Sequence, residues 1–123
     1  MRALYGILGL MALTVLPADG GEPLTLAVTP FQSFAPATMR IRARIEPSPA
    51  NRTLTIVADG SAFYRSSEVP LAGEDAPKTI ELFFSNLPGG EYDVYAYLTD
   101  SMGQRRAIVH HPARVLGIFG DSH

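Results

Sequence analysis

The sequence contains no cysteine and no tryptophan, and only 18% of its 123 residues are charged. Without cysteine the chain can form no disulfide, no thiolate zinc site and no catalytic thiol, and it cannot be acylated as a lipoprotein. The low charge and a hydrophobic content of 46% exclude a disordered chain. The net charge of -2 provides no basic field for nucleic acid. The length and composition therefore predict one packed domain that folds without covalent cross-links.

The common signatures of catalysis are also missing. The sequence has no Gly-x-Ser-x-Gly elbow, no phosphate-binding loop, no His-Glu-x-x-His helix and no dinucleotide fingerprint. We therefore expect a protein that is not an enzyme and that needs no cofactor.

The N-terminus has the layout of a signal peptide. Arg2 is followed by an uncharged apolar run from Ala3 to Leu16, and turn-forming and small residues then lead to Gly20. The apolar run is about 14 residues long, which is short of the roughly 20 that span a bilayer as a helix. We expect residues 1–20 to be removed on export, with an uncleaved anchor as the alternative. The exported protein would be periplasmic or secreted and would have no stable membrane span.

The rest of the chain alternates apolar and polar residues with the period of two that is typical of β-strands. The alternation predicts six strands, and a seventh, shorter strand is expected at 62–65. The six lie at about 24–28, 39–45, 54–58, 80–84, 92–98 and 105–109. Proline and glycine fall mainly between them, although Pro112 interrupts the last candidate, and residues 66–77 are expected to form a loop. This pattern predicts an antiparallel sandwich of seven strands at 21–116, followed by a tail at 117–123.

One segment carries a resemblance to a known family. The run from Leu87 through Pro88-Gly89-Gly90-Glu91 to Tyr92 resembles the tyrosine corner of fibronectin type III and related bacterial immunoglobulin-like domains. The resemblance implies structural roles for Leu87, Gly89 and Tyr92, whose hydroxyl would bond to backbone upstream. The tryptophan that fibronectin type III domains usually carry on the second strand is missing. The resemblance implies adhesion, spacing or binding, and it brings no catalytic residues.

Two outward-facing surfaces are candidate binding sites. Tyr95 and Tyr97 alternate with core positions, and the family's strand pairing would place them beside Thr55 and Val57, where they could stack a sugar ring or pack against a protein. Ordinary cross-strand packing is the alternative for this group.

The second surface is a basic row on the predicted second strand. Arg40, Arg42 and Arg44 project from one face and could hold an anionic glycan or lipid headgroup. The resemblance implies that Glu81 and Phe83 on a neighbouring strand would cover these arginines, which is the structural alternative.

His110 and His111 are adjacent, which raises the alternative of a small periplasmic metal carrier of the copper type. Neighbouring strand residues point to opposite faces, however, so no metal site is predicted from the pair.

Asn51-Arg52-Thr53 matches a glycosylation acceptor, which matters only in a eukaryotic host. The sequence thus predicts a non-enzymatic, exported binding or structural module of the envelope or extracellular space, with a protein or glycan partner and no nucleic acid.

Overall fold

The computed structural model describes residues 22–117, which form eight β-strands and one short 3-10 turn, Gly73–Asp75. The strands are β1 (Leu24–Thr29), β2 (Gln32–Phe34), β3 (Ala37–Ile45), β4 (Thr53–Gly60), β5 (Tyr64–Pro70), β6 (Thr79–Leu87), β7 (Gly90–Thr99) and β8 (Arg105–Leu116). The predicted signal peptide at 1–20 and the tail beyond Gly117 lie outside the described residues. Across residues 22–117, no helix is long and apolar enough to cross a membrane.

The strands form two sheets, which confirms the all-β, sandwich-like prediction. One sheet has three strands in the order β1-β3-β6, and the other has five in the order β2-β8-β7-β4-β5. Every neighbouring pair is antiparallel except β2 and β8, which run parallel. The prediction of seven strands, all antiparallel, is therefore wrong.

The additional strand is β2, whose three residues carry no alternating pattern. Backbone bonds just outside the strand dock it onto β8: the Arg114 amide donates to the Phe31 carbonyl and the Ala35 amide to the Leu116 carbonyl, both at 2.8 Å. A strand this short is held by main-chain pairing, which leaves almost no trace in the side chains.

Strand β5 is longer than the sequence predicts. It continues through Ser66, Ser67 and Glu68 to Pro70, where a loop was expected. These residues pair with β4 in an unbroken antiparallel register, from Tyr64 opposite Asp59 to Pro70 opposite Thr53. Because β5 is an edge strand, it presents polar side chains to solvent and lacks the apolar alternation used for the prediction.

Strand β8 runs through Pro112 without ending. The Arg114 amide points towards β2, so the nitrogen of Pro112, two residues earlier, points to the same edge. Pairing with β2 begins only at Gln32 opposite Arg114. The missing donor of Pro112 therefore breaks no ladder hydrogen bond.

The core lies between the two sheets, and it consists of the inward-facing residues predicted by the alternation. Strand β3 alternates strictly between buried and exposed positions along its whole length. Its buried residues form one cluster with those of β4 and β7, which include Leu54, Ile56, Val94, Ala96 and Leu98. Val115 near the end of β8 also packs in this cluster.

Candidate binding face

Tyr95 and Tyr97 lie side by side on the outer face of the five-stranded sheet. Their ring centroids are 6.4 Å apart and the ring planes differ by 19°. In the register between β7 and β4, Tyr95 is opposite Val57 and Tyr97 is opposite Thr55. This pairing brings together the four residues that the sequence analysis grouped.

Thr55 and Val57, however, are not available for contact. Their side chains are only 5% and 2% exposed. Each lies between two paired neighbours, Thr55 between Tyr97 and Glu68, and Val57 between Tyr95 and Ser66. β4 is an interior strand, so the side chains of both neighbouring strands cover these two residues. The expectation that Thr55 and Val57 contact a partner is therefore wrong. They are buried beside Tyr97 and Tyr95 and are covered by the side chains of the neighbouring strands.

A third tyrosine extends the same face. Tyr64, at the start of β5, is 59% exposed and is opposite Asp59 in the register. Tyr64 was not among the predicted site residues, because the short strand expected at 62–65 has no apolar alternation to show which side of the sheet Tyr64 faces. We call Tyr64, Tyr95 and Tyr97 the tyrosine face.

Basic side chains flank the two tyrosines of β7. The guanidinium of Arg105 lies 4.3 Å from the centre of the Tyr97 ring, within the range of a cation–π contact. The ring of His110 lies 5.4 Å from that of Tyr95, and its Nδ1 is 3.0 Å from a carboxylate oxygen of Asp93. These contacts hold the tyrosine rings in place and leave hydrogen-bonding groups around them.

Burial raises the pKa of Tyr95 above its ordinary value of about 10. Tyr64, Asp59 and Tyr97 raise this pKa further, while the positive charge of Arg105 opposes the shift. Tyr95 therefore keeps its proton throughout the neutral range. Its hydroxyl is available to a partner both as a donor and as an acceptor.

The arginines of β3 occupy the opposite face of the molecule, on the three-stranded sheet. Arg40 is opposite Phe83, and Arg42 is opposite Glu81. A single carboxylate oxygen of Glu81 lies 3.4 Å from Nε of Arg40 and 3.1 Å from a terminal nitrogen of Arg42. Among the described residues Arg44 forms no ion pair. Glu81 thus covers two of the three arginines.

The two histidines do not converge on one site. His110 faces Asp93, whereas Nδ1 of His111 is 2.9 Å from the carbonyl oxygen of Pro112. In the part of the chain that the structure describes, no group of three or more His, Cys, Asp or Glu side chains is placed to hold a metal ion. The geometry gives no support to the metal-carrier alternative.

The turn before β7 contains the hydrogen bond and the buried leucine that were predicted for a tyrosine corner. The Tyr92 hydroxyl donates to the carbonyl oxygen of Pro88 at 2.7 Å, and Leu87 is fully buried. The positive φ angles of this region fall at Asn86 and Gly90, with no such angle at Gly89.

Gly89 and Gly90 line a shallow cleft of about 520 Å³ beside the end of β8. The Arg114–Glu91 ion pair, at 2.9 Å, lies along the same cleft.

Asn51 of the glycosylation motif is buried. It is 1% exposed, and its Nδ2 donates to the backbone carbonyl of Glu46 at 3.0 Å. An enzyme that glycosylates asparagine needs access to this nitrogen. The folded domain therefore presents no acceptor at Asn51, and the residue has a structural role.

No family model matches the chain, and no curated protein is significantly similar to it. The outer faces of the two sheets therefore provide the observations from which a function is inferred.

Proposed function

We propose that this protein is an exported, non-enzymatic binding module of the immunoglobulin-like class, which captures a protein or glycan partner on its tyrosine face. Support for the class comes from the strand orders β1-β3-β6 and β2-β8-β7-β4-β5 together with the corner bond of Tyr92. The signal-peptide layout of residues 1–20 supports export to the envelope or the extracellular space.

The observation that carries the binding proposal is the paired arrangement of Tyr95 and Tyr97, extended by the exposed Tyr64. Tyrosine offers a broad apolar ring with a polar end and loses little conformational entropy on binding. Arg105 contacts the ring of Tyr97 and His110 contacts the ring of Tyr95, and both contacts restrict the motion of the rings. The face is therefore largely preorganised, which lowers the entropic cost of association.

The test uses substitutions on the tyrosine face and a matched substitution on the other sheet. Tyr64→Ser removes an exposed ring and should weaken capture with little change in the melting temperature. Tyr97→Ser should weaken capture more strongly but should also lower the melting temperature, because Tyr97 helps to cover Thr55. The control is Phe83→Ser, which removes an exposed ring from the three-stranded sheet.

The measurements are binding to a panel of immobilised neutral and charged oligosaccharides, and crosslinked capture from the envelope fraction of the source cells. A partner that is lost with Tyr64→Ser and Tyr97→Ser but retained with Phe83→Ser supports the proposal. Equal capture by all three variants, or loss of capture only with Phe83→Ser, would overturn it.

A further inference from the structure

The outer face of the three-stranded sheet has an asymmetric profile. Its central strand, β3, carries Arg40, Arg42 and Arg44, which we call the arginine row. The edge strand β1 presents only small side chains beside them, with Thr29, Ala27 and Thr25 opposite successive arginines. These three residues are all exposed. On the other side, β6 presents the bulkier Phe83 opposite Arg40 and Glu81 opposite Arg42, whereas Arg44 is opposite the small Thr79.

The small side chains of Thr25, Ala27 and Thr29 leave a low strip of surface along β1 beside the arginine row, which we call the shelf. Alternate residues of a strand are about 7 Å apart, and neighbouring strands are about 5 Å apart. The shelf is therefore long and narrow, and three guanidinium groups stand along one side of it. A linear molecule lying on β1 could meet all three, whereas a compact ligand could meet only one or two.

The charge on this face is positive although the protein as a whole is acidic. Glu81 is the only carboxylate that β1, β3 and β6 place beside the row, and it contacts only Arg40 and Arg42. Within these three strands the row has three positive charges against one negative charge, in a chain with a net charge of -2. The exposed Glu46, two residues beyond Arg44 and just past the end of β3, adds a second carboxylate at one end of the row. A ligand with acidic groups spaced along its length complements this pattern.

We propose that the arginine row and its shelf bind a linear anionic polysaccharide whose carboxylate or sulfate groups pair with the guanidinium groups. The planar fork of arginine suits these anions, because it can donate two parallel hydrogen bonds to one group. Threonine hydroxyls on β1 offer further hydrogen bonds to sugar hydroxyls. This site is on the opposite sheet from the tyrosine face and does not depend on the function proposed above.

The observations favour a polysaccharide over other anionic macromolecules. Duplex DNA carries one charge per about 1.7 Å of its axis, far denser than the spacing of about 7 Å between successive arginines of the row. Attraction to an anionic membrane depends on the number of basic residues near its surface. Here Glu81 offsets one of the three arginine charges, and within residues 22–117 Phe83 is the only ring that β1, β3 and β6 present beside the row.

The first test compares two substitutions that each remove one arginine charge, one on each sheet. The purified protein is titrated with heparin and with polygalacturonate, which are linear polymers carrying sulfate or carboxylate groups. Arg44→Gln breaks no ion pair of the described residues, and it should weaken binding by about tenfold. Arg114→Gln is the matched control on the other sheet and should leave the affinity within about twofold, although it loses its contact with Glu91.

The second test removes the carboxylate of Glu81, which competes with the ligand for Arg40 and Arg42. Glu81→Gln frees Arg40 and Arg42 from their ion pairs, so the affinity for both polymers should rise several-fold and should fall more steeply with added salt. If the arginines only solvate the sheet, Glu81→Gln would leave the affinity unchanged. Melting curves on each variant separate effects on binding from effects on folding.

The remaining arms of the experiment test the alternatives. Neutral dextran, phosphatidylglycerol vesicles and a single-stranded oligonucleotide should each bind more weakly than heparin. The proposal is overturned by the absence of wild-type binding to both anionic polymers, by equal losses with Arg44→Gln and Arg114→Gln, or by tighter binding to vesicles or to the oligonucleotide.

Discussion

The hydroxyl of Tyr92 donates a hydrogen bond to the carbonyl oxygen of Pro88, at 2.7 Å, across the turn that links β6 to β7. This bond fixes β7, a strand of the five-stranded sheet, to the turn through which the chain arrives from β6 of the three-stranded sheet. The Tyr92 side chain is buried, and its ring packs against Gly60 at the end of β4. One residue thus joins the turn, its own strand β7 and the end of β4.

Tyr92→Phe should lower the free energy of unfolding by about 1 kcal/mol, because the ring stays in place while the hydrogen bond is lost. Urea denaturation monitored by circular dichroism measures the change. Tyr64→Phe is the control, since it removes an exposed hydroxyl and should change the stability by less than about 0.5 kcal/mol. Equal effects of the two substitutions would show that the corner bond contributes nothing.

Gly60→Ala should destabilise the domain by about 1–3 kcal/mol through overpacking. A Cβ atom at this position would lie 2.8 Å from Cε2 of Tyr92 and 3.2 Å from the carbonyl oxygen of Phe63. A double-mutant cycle isolates the cause: in a Tyr92→Ala background, which removes the ring, Gly60→Ala should cost clearly less. An additive cycle would place the strain at the Phe63 carbonyl instead.

Stability should decline at alkaline pH. Burial raises the pKa of Tyr92 above its ordinary value of about 10, a shift partly opposed by the charge of Arg65. Between the unfolded and folded pKa values the native state holds the proton more tightly, so stability is complete below about pH 10 and falls as the pH rises through the folded pKa. Tyr92→Phe removes this contribution.

The measurement for this prediction is the unfolding free energy of wild type and Tyr92→Phe between pH 8 and pH 11. The stability difference between the two proteins should shrink above about pH 10. Tyr95 also has a raised pKa, so a residual decline is expected in the variant. A difference that is constant with pH would contradict the prediction.

Asn51→Ala should cost about 1–3 kcal/mol, because it leaves the Glu46 carbonyl without its side-chain partner in a nearly inaccessible site. Asn51→Asp should cost more, since it replaces the donor with a charge facing a carbonyl oxygen. Asn86→Asp is an exposed control and should have a small effect. Thermal melts of the three variants check this order, and a neutral Asn51→Ala would contradict it.

Much of the core was predictable from the alternation alone. In β3 and β7 the apolar residues recur at every second position, and a strand places alternate residues on opposite faces, so the inward set is determined once a strand is assigned. The sequence also indicated the Tyr92 corner, because Leu87 and the glycines before Tyr92 form a local pattern that a reader can recognise without tertiary contacts.

Other features depended on pairing between distant segments. β2 and the second half of β5 lie at sheet edges and are held by main-chain hydrogen bonds, which any side chains permit. The burial of Thr55 and Val57 depended on the size of side chains on two neighbouring strands, and Tyr64 joined Tyr95 only when β5 paired with β4.

The sequence by itself therefore determined which face of each regular strand is apolar, because that property is local and has a period of two. The tertiary structure alone decided which outward residues remain exposed. It also decided that Glu81, which was expected to cover the arginines, contacts Arg40 and Arg42 and leaves Arg44 without an ion pair among the described residues. Exposure and charge pairing depend on the distances between strands that are far apart in the chain, and those distances exist only once the sheets have formed.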